Sequence, residues 1–204
     1  MLVRDVWYGF EVVRKRRLRK EYRHPVLDER IRKRRTVLEA RLMSACKRAG
    51  VPVPTVLSVD EARGEIVMDW ISGEKLRDVM DRMGEREVSS TFERVGEEIG
   101  LMHKVGVIHG DLTTSNMILV GEKVYILDFG LGYFGSDLES RAVDLHLLIR
   151  AVESTHPRYA RIASEALRRG YSRVLGESEA RRVFERVGEI RMRGRYVAER
   201  RQRF

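Results

Sequence analysis

The hydrophobic and polar positions of this chain change period along its length, and each change marks an element. Apolar stretches at 3–7 and 10–13, separated by Gly9, predict two short strands joined by a hairpin turn. From Asp28 a helical period takes over, with Ile31, Val37, Leu38, Leu42 and Met43 on one broad face. Gly50 stops it, because glycine readily takes the left-handed conformation that closes a helix. Pro52 and Pro54 then break the chain before two more strands, 56–59 and 65–70, which turn at Arg63-Gly64. Strands, one long helix and more strands predict a small α+β unit over residues 1–70.

Residues 71–74 read as a linker, and the pattern beyond them is mainly helical. A short helix is expected at 76–83. A longer one runs from Ser90 to Gly106, with Phe92, Val95, Ile99 and Met102 at helical spacing and His103 on its surface. Short strands at 107–108, 117–119 and 124–127 follow, with Gly121-Glu122 as a turn. An apolar helix at 142–151 and two Arg-rich amphipathic helices at 159–169 and 178–193 complete a second unit, 71–204, with a basic C-terminal tail.

Composition adds compartment and charge. A single cysteine, Cys46, cannot form an internal disulfide, and no apolar run reaches the roughly 18 residues of a membrane span. A soluble, cytoplasmic protein with no membrane partner is expected. Residues 14–35 hold twelve Lys/Arg against Glu21, Asp28 and Glu29, a local net charge of +9. Residues 181–204 hold nine Arg against three Glu, a local +6, so the remainder of this +9 chain is acidic. Two basic patches on an acidic body point to a polyanion, with nucleic acid first in line.

The chain also has one asparagine, Asn116, in His109-Gly110-Asp111-Leu112-Thr113-Thr114-Ser115-Asn116. Asparagine is a thermolabile residue that heat-adapted proteins shed, so the one retained is expected to serve chemistry. Twelve positions on, Asp128-Phe129-Gly130 closes the apolar run 124–127. H-x-D-x-x-x-x-N, a short strand and D-F-G form the catalytic-loop and metal-loop signature of protein kinases. The expected fold is therefore a minimal two-lobed protein-kinase-like fold, with a small β-rich N-lobe carrying one long helix and a reduced, mainly helical C-lobe.

Phosphoryl transfer asks a protein mainly for positioning and charge neutralisation. Asp111 is the expected catalytic base, and Asn116 and Asp128 are oxygen ligands of the kind that Mg²⁺ takes beside ATP phosphates. Lys15, at the end of the strand before the long helix, is the expected phosphate-binding lysine. Glu39, the one carboxylate between Ile31 and Gly50, is its natural partner. Met68, Asp69, Trp70 and Ile71 follow the last N-lobe strand, where kinases hold adenine through backbone groups. Asp144 is placed to brace the catalytic loop, and His109 to pack beneath it.

Three departures narrow the reading. No G-x-G-x-x-G precedes Lys15, Gly110 stands where many kinases have Arg, and only fifteen residues separate Asp128 from Asp144. That gap holds no peptide platform, which argues against a general protein substrate. A RIO-type or small-molecule phosphotransferase would share the H-G-D core and short activation region. A non-catalytic scaffold binding through the basic patches would explain the missing glycine loop, but not the retained Asp111, Asn116 and Asp128.

Lys20-Glu21-Tyr22-Arg23-His24-Pro25-Val26-Leu27-Asp28 and Arg34-Arg35-Thr36-Val37-Leu38-Glu39-Ala40-Arg41 resemble the small atypical kinase family of the KEOPS (EKC) complex. The catalytic segment, the Asp128-Phe129-Gly130-Leu131-Gly132 turn and Arg191-Met192-Arg193-Gly194-Arg195 resemble it too. The resemblance implies an atypical Ser/Thr kinase that acts mainly as an ATPase, with ATP and Mg²⁺. Its partners would be a threonylcarbamoyl transferase and the other KEOPS subunits, in making threonylcarbamoyl-adenosine beside the tRNA anticodon. By position it assigns Lys15 and Glu39 to the phosphates, Asp111 to the base and Asn116 and Asp128 to magnesium. It directs the basic tail, 191–203, toward the transferase.

Overall fold

The computed structural model describes residues 1–201, with side chains through Arg193. Strands β1 (Leu2–Trp7) and β2 (Phe10–Arg16) form an antiparallel hairpin. Tyr8 and Gly9, at φ +50° and +83°, make the two-residue turn whose twist matches that of paired strands. Helix α1 (Pro25–Arg48) begins three residues before the periodicity does. The missing N–H and fixed φ of Pro25 suit the first helical turn, where no carbonyl waits for a donor. Gly50, at φ +87°, ends the helix as expected. Strands β3 (Val56–Asp60) and β4 (Glu65–Asp69) complete a four-stranded sheet in the order β1-β2-β4-β3. Ile66 and Met68 from this sheet join Leu42, Met43 and Cys46 from α1 in the core.

The expected linker instead runs into β5 (Glu74–Lys75), which pairs with β7 (Met117–Val120). A Cβ on Gly73 would lie 2.4 Å from the Leu119 carbonyl oxygen, so the backbone passes here only as glycine. Helix α2 (Leu76–Val79) and a 3-10 turn, Met80–Arg82, lead to α3 (Glu85–Lys104). Then come β6 (Val107–Ile108), a 3-10 turn at Thr114–Asn116, and β8 (Lys123–Ile126) paired with β7. Strand β9 (Tyr133–Phe134), which the sequence pattern does not announce, pairs with β6. Helices α4 (Leu138–Thr155), α5 (Ala160–Leu175) and α6 (Glu177–Arg201) finish the lobe. The closest helix packing is α3 on α5, where a Cβ on Gly170 would fall 1.8 Å from the Glu93 carbonyl oxygen. An antiparallel sheet with one long helix, followed by a mostly helical lobe, is the protein-kinase-like α+β arrangement. Among the described residues no helix is long and apolar enough to cross a membrane.

Candidate active site

Strand β2 is hydrogen-bonded on both sides, to β1 and β4, which fixes where its side chains emerge. Lys15 Nζ donates to Glu39 Oε1 at 2.6 Å, and the Glu39 side chain is 1% exposed on the buried face of α1. Two positions on, and so on the same side of the chain, Arg17 Nη2 donates to Glu39 Oε2 at 2.6 Å. Each oxygen of one buried carboxylate therefore takes its own cation. Sequence reasoning missed Arg17 because the run from Arg14 to Lys20 offers six cations and no register to choose between them.

The residues of the family-like Tyr-Arg-His-Pro segment prove to be architectural. Asp28, fully buried, accepts from Arg32 Nε at 2.8 Å and pairs with Arg23 at 3.6 Å. It also accepts the Lys20 backbone N–H at 3.4 Å, so one carboxylate folds the loop between β2 and α1 onto the helix.

A second buried carboxylate holds the loop of Asp111. Asp144, on α4, accepts the backbone N–H of His109 at 2.6 Å and of Gly110 at 2.8 Å. His109 Nε2 lies 2.8 Å from the Leu127 carbonyl oxygen, and its Nδ1 lies 3.2 Å from the Asp111 backbone N–H. A carbonyl only accepts and an amide only donates, so Nε2 carries the proton. The ring thus ties the Asp111 loop to the residue before Asp128. Gly110 has φ +77°, and a Cβ there would sit 2.7 Å from the Leu131 carbonyl oxygen. The absence of Arg at this position follows from that contact.

His103 corrects the expectation of a surface residue. It is fully buried, with Nδ1 2.9 Å from Tyr171 Oη and Nε2 3.4 Å from Asp144 Oδ2. Burial, the larger influence, depresses its pKa despite the neighbouring Asp144. The helical period could not separate it from a surface position, because the partner that satisfies it lies 68 residues away.

Asn116 Nδ2 donates to the Asp111 backbone oxygen at 2.8 Å and to Asp111 Oδ2 at 3.0 Å. Both partners are acceptors, so the amide orientation is fixed and Oδ1 is left without a donor among the described residues. The Leu127 N–H donates to the Asn116 carbonyl at 2.8 Å, which sets Asn116 beside Asp128. Asp128 takes the left-handed conformation, φ +59°, rare for a residue with a side chain. Its Oδ1 accepts from Lys15 Nζ at 2.5 Å and from the Gly130 N–H at 3.1 Å. Burial pushes the Asp128 carboxyl up, but the Lys15 hydrogen bond and charge outweigh it and the net shift is downward.

Lys15, Arg17, Asp111 and Asp128 face one cavity of about 590 Å³. Met68, Asp69, Trp70 and Ile71 do not line it. Met68 is turned into the core, Asp69 Oδ1 accepts the Thr55 N–H at 2.5 Å, and Trp70 lies under Arg4 at 4.8 Å. The N–H groups of Asp69 and Trp70 are engaged by Thr55 and Glu11 carbonyls, both at 3.1 Å. A divalent cation would suit the donor set: among the described residues Asn116 Oδ1 and Asp128 Oδ2 are oxygens without protein donors, and oxygen is what Mg²⁺ selects. The tail expected to reach a transferase lies, beyond Arg193, outside the residues whose side chains are described.

A Lys–Glu pair in the first lobe, joined through Lys15 to the left-handed Asp-Phe-Gly turn of the second beside an Asp/Asn loop, defines a protein-kinase-like phosphotransferase. The RIO domain matches residues 8–132. A KEOPS complex subunit Bud32 of Pyrococcus abyssi is 44% identical over 189 residues, covering 93% of this chain and 86% of that one. The chain belongs to the Bud32 family of RIO-domain proteins. A probable bifunctional tRNA threonylcarbamoyladenosine biosynthesis protein of Methanosarcina mazei is 43% identical over 93% of the chain, which spans about a third (32%) of that longer protein. Among solved structures, WaaP in complex with acyl carrier protein superimposes with a TM-score of 0.68 at 16% identity, covering 96% of this chain and 83% of that one. That likeness is one of fold.

Proposed function

We propose that this chain is the kinase-like ATPase subunit of a KEOPS assembly, supporting threonylcarbamoyl-adenosine modification of tRNA. The observation that carries the reading is the 44% identity to a Bud32 subunit along nearly the whole chain. The cluster at the cleft supports it, since Lys15, Glu39, Asp111, Asn116 and Asp128 gather around one ammonium and one loop even though no glycine-rich loop precedes Lys15. In this reading the two lobes divide at Trp70-Ile71, and the Ile71 N–H is the backbone donor left for an adenine ring.

Asp111 orients the attacking hydroxyl or water and takes its proton. Asn116 Nδ2 ties the Asp111 carboxylate oxygen to that residue's own backbone oxygen, which holds the carboxylate in place, so little reorganisation is required at the moment of transfer. Lys15 neutralises the α- and β-phosphates, and Glu39 keeps the ammonium pointed into the cleft. Mg²⁺, held by Asn116 Oδ1 and Asp128, would supply further charge neutralisation along the phosphate chain. Between Asp128 and α4 the chain is stitched down by the β6–β9 pairing and by the Gly135 N–H on the Gly106 carbonyl at 2.9 Å. A segment so short and so bound presents no platform for a free peptide, which favours hydrolysis or a docked target. tRNA and the transferase subunit would meet the basic patches, in the cytoplasm.

The experiment is Mg²⁺-dependent ATP turnover by the purified chain, alone and with tRNA and the transferase subunit. Stimulation by the assembled complex is expected. Efficient phosphorylation of a small metabolite by the chain alone, or no turnover in any combination, would overturn the reading.

A further inference from the structure

The cleft uses the inner face of α1; the outer face carries a separate pattern. Arg34, Arg41 and Arg48 recur at seven-residue spacing and are all exposed. Seven residues are nearly two full turns, so the three guanidiniums form one row at intervals of about 10.5 Å. Two other cations of the helix are paired, Lys33 with Glu29 at 2.7 Å and Arg32 with Asp28. The three in the row have no acidic partner among the described residues.

The row borders an apolar groove. One hollow of about 510 Å³ lies between Val37, Arg41 and Arg48 on α1, Val56 and Val59 on β3, and Phe134 on β9. A second, of about 400 Å³, shares Val37 and Arg41 and extends to Arg34 and Leu38. Glu61 is the carboxylate on the rim of both. Phe134 is 52% exposed, and Leu131 and Tyr133 beside it are 57% and 42% exposed. Three large apolar side chains left in water, two on a two-residue strand and one just before it, mark a contact surface.

We propose that this groove docks an acidic amphipathic helix of a partner protein. Carboxylates at seven-residue spacing on that helix would meet Arg34, Arg41 and Arg48, and the apolar residues between them would enter the hollow of Val37 and Phe134. Charge alone would suit nucleic acid equally. The apolar wall does not: a phosphate backbone would neutralise the row and leave Val37, Val59 and Phe134 uncovered. Occupancy would clamp two elements that bear the site, since α1 carries Glu39 and β9 follows Asp128 by a few residues.

The test uses a fluorescein-labelled helical peptide of about 20 residues, with three glutamates at seven-residue spacing and leucines between them. It should bind the full chain with an affinity that falls as salt rises. Reversing Arg34, Arg41 and Arg48 to Glu together should weaken binding at least about tenfold, and Phe134→Ser should weaken it independently. A peptide with Arg in place of its glutamates should bind the reversed protein, which also shows that the variant is folded. The triple Arg→Gln variant should lie between wild type and reversal. Failure of the acidic peptide to bind, or equal binding to wild type and reversed protein, overturns the proposal. So does a duplex RNA that binds wild type, is lost on reversal and ignores Phe134→Ser.

Discussion

Lys15 Nζ stands 2.5 Å from Asp128 Oδ1, although 113 positions separate the two residues in the chain. The same nitrogen is 2.6 Å from Glu39 Oε1, so one ammonium joins the sheet, the long helix and the Asp-Phe-Gly turn. Arg17 takes the other oxygen of Glu39. On the proposed function, the cluster separates charge that maintains the fold from charge that would serve the nucleotide. Lys15→Met leaves Glu39 paired with Arg17, and should leave the melting temperature nearly unchanged while Mg²⁺-ATP turnover falls about 100-fold. Glu39→Gln faces two cations with a neutral amide and should cost about 1–3 kcal/mol of stability as well. Equal destabilisation by the two variants, measured by urea unfolding, would contradict this division.

Asp111→Asn keeps the shape of the side chain and removes the base. Turnover should drop by about 10²–10⁴-fold with the urea midpoint unmoved. Asn116→Ala removes both the clamp on Asp111 and the free Oδ1. It should raise the Mg²⁺ concentration for half-maximal turnover about tenfold, on top of a lower maximum. An unshifted Mg²⁺ dependence would remove Asn116 from the metal site.

Gly110 should tolerate no side chain. Both its φ of +77° and the 2.7 Å approach of the Leu131 carbonyl oxygen oppose a Cβ. Gly110→Ala should destabilise the protein by about 1–3 kcal/mol and displace the Asp-Phe-Gly turn, lowering turnover. Gly110→Arg, which restores the residue of many other kinases, should be at least as damaging. Full activity in either variant would show that the contact relaxes at no cost.

The legible parts of this protein were those written in local spacing. The Asp111–Asn116 loop, the Asp-Phe-Gly turn and Glu39 could be read because each has few competitors nearby, and Lys15 because it stands where the strand before the long helix ends. The start of α1 was placed late because Pro25 and the segment after it look like a break until the proline is seen to occupy the first turn. Strand β9 was missed because two residues have no period. Partners distant in sequence were out of reach: Tyr171 for His103, and the second cation on Glu39, chosen from a run of near-identical Arg and Lys. The adenine-side residues show a related limit. A motif position fixes the backbone, whereas the packing around Met68 and Trp70 decides where their side chains go.

Glu98 offers a test of pH dependence away from the cleft. It lies on α3, 8% exposed, and its Oε2 has no hydrogen-bond partner among the described residues. Burial raises its pKa to about 8, against the Val124 N–H and Arg94, which lower it, while Glu97 adds to the rise. Below about pH 4.3 the carboxyl is protonated in both folded and unfolded chains, and ionisation costs nothing. As pH rises from there, the unfolded chain releases the proton and the folded one keeps it. The unfolded state then binds fewer protons, so stability falls, by up to about 1.4 kcal/mol per pH unit, until the folded group also ionises near pH 8. Glu98→Gln has nothing to ionise. Its advantage over wild type in urea unfolding should be small near pH 4, grow steadily through pH 6 and 7, and level off above pH 8. A difference that stays constant across this range would mean that Glu98 finds a partner or water in solution and titrates as an ordinary carboxyl.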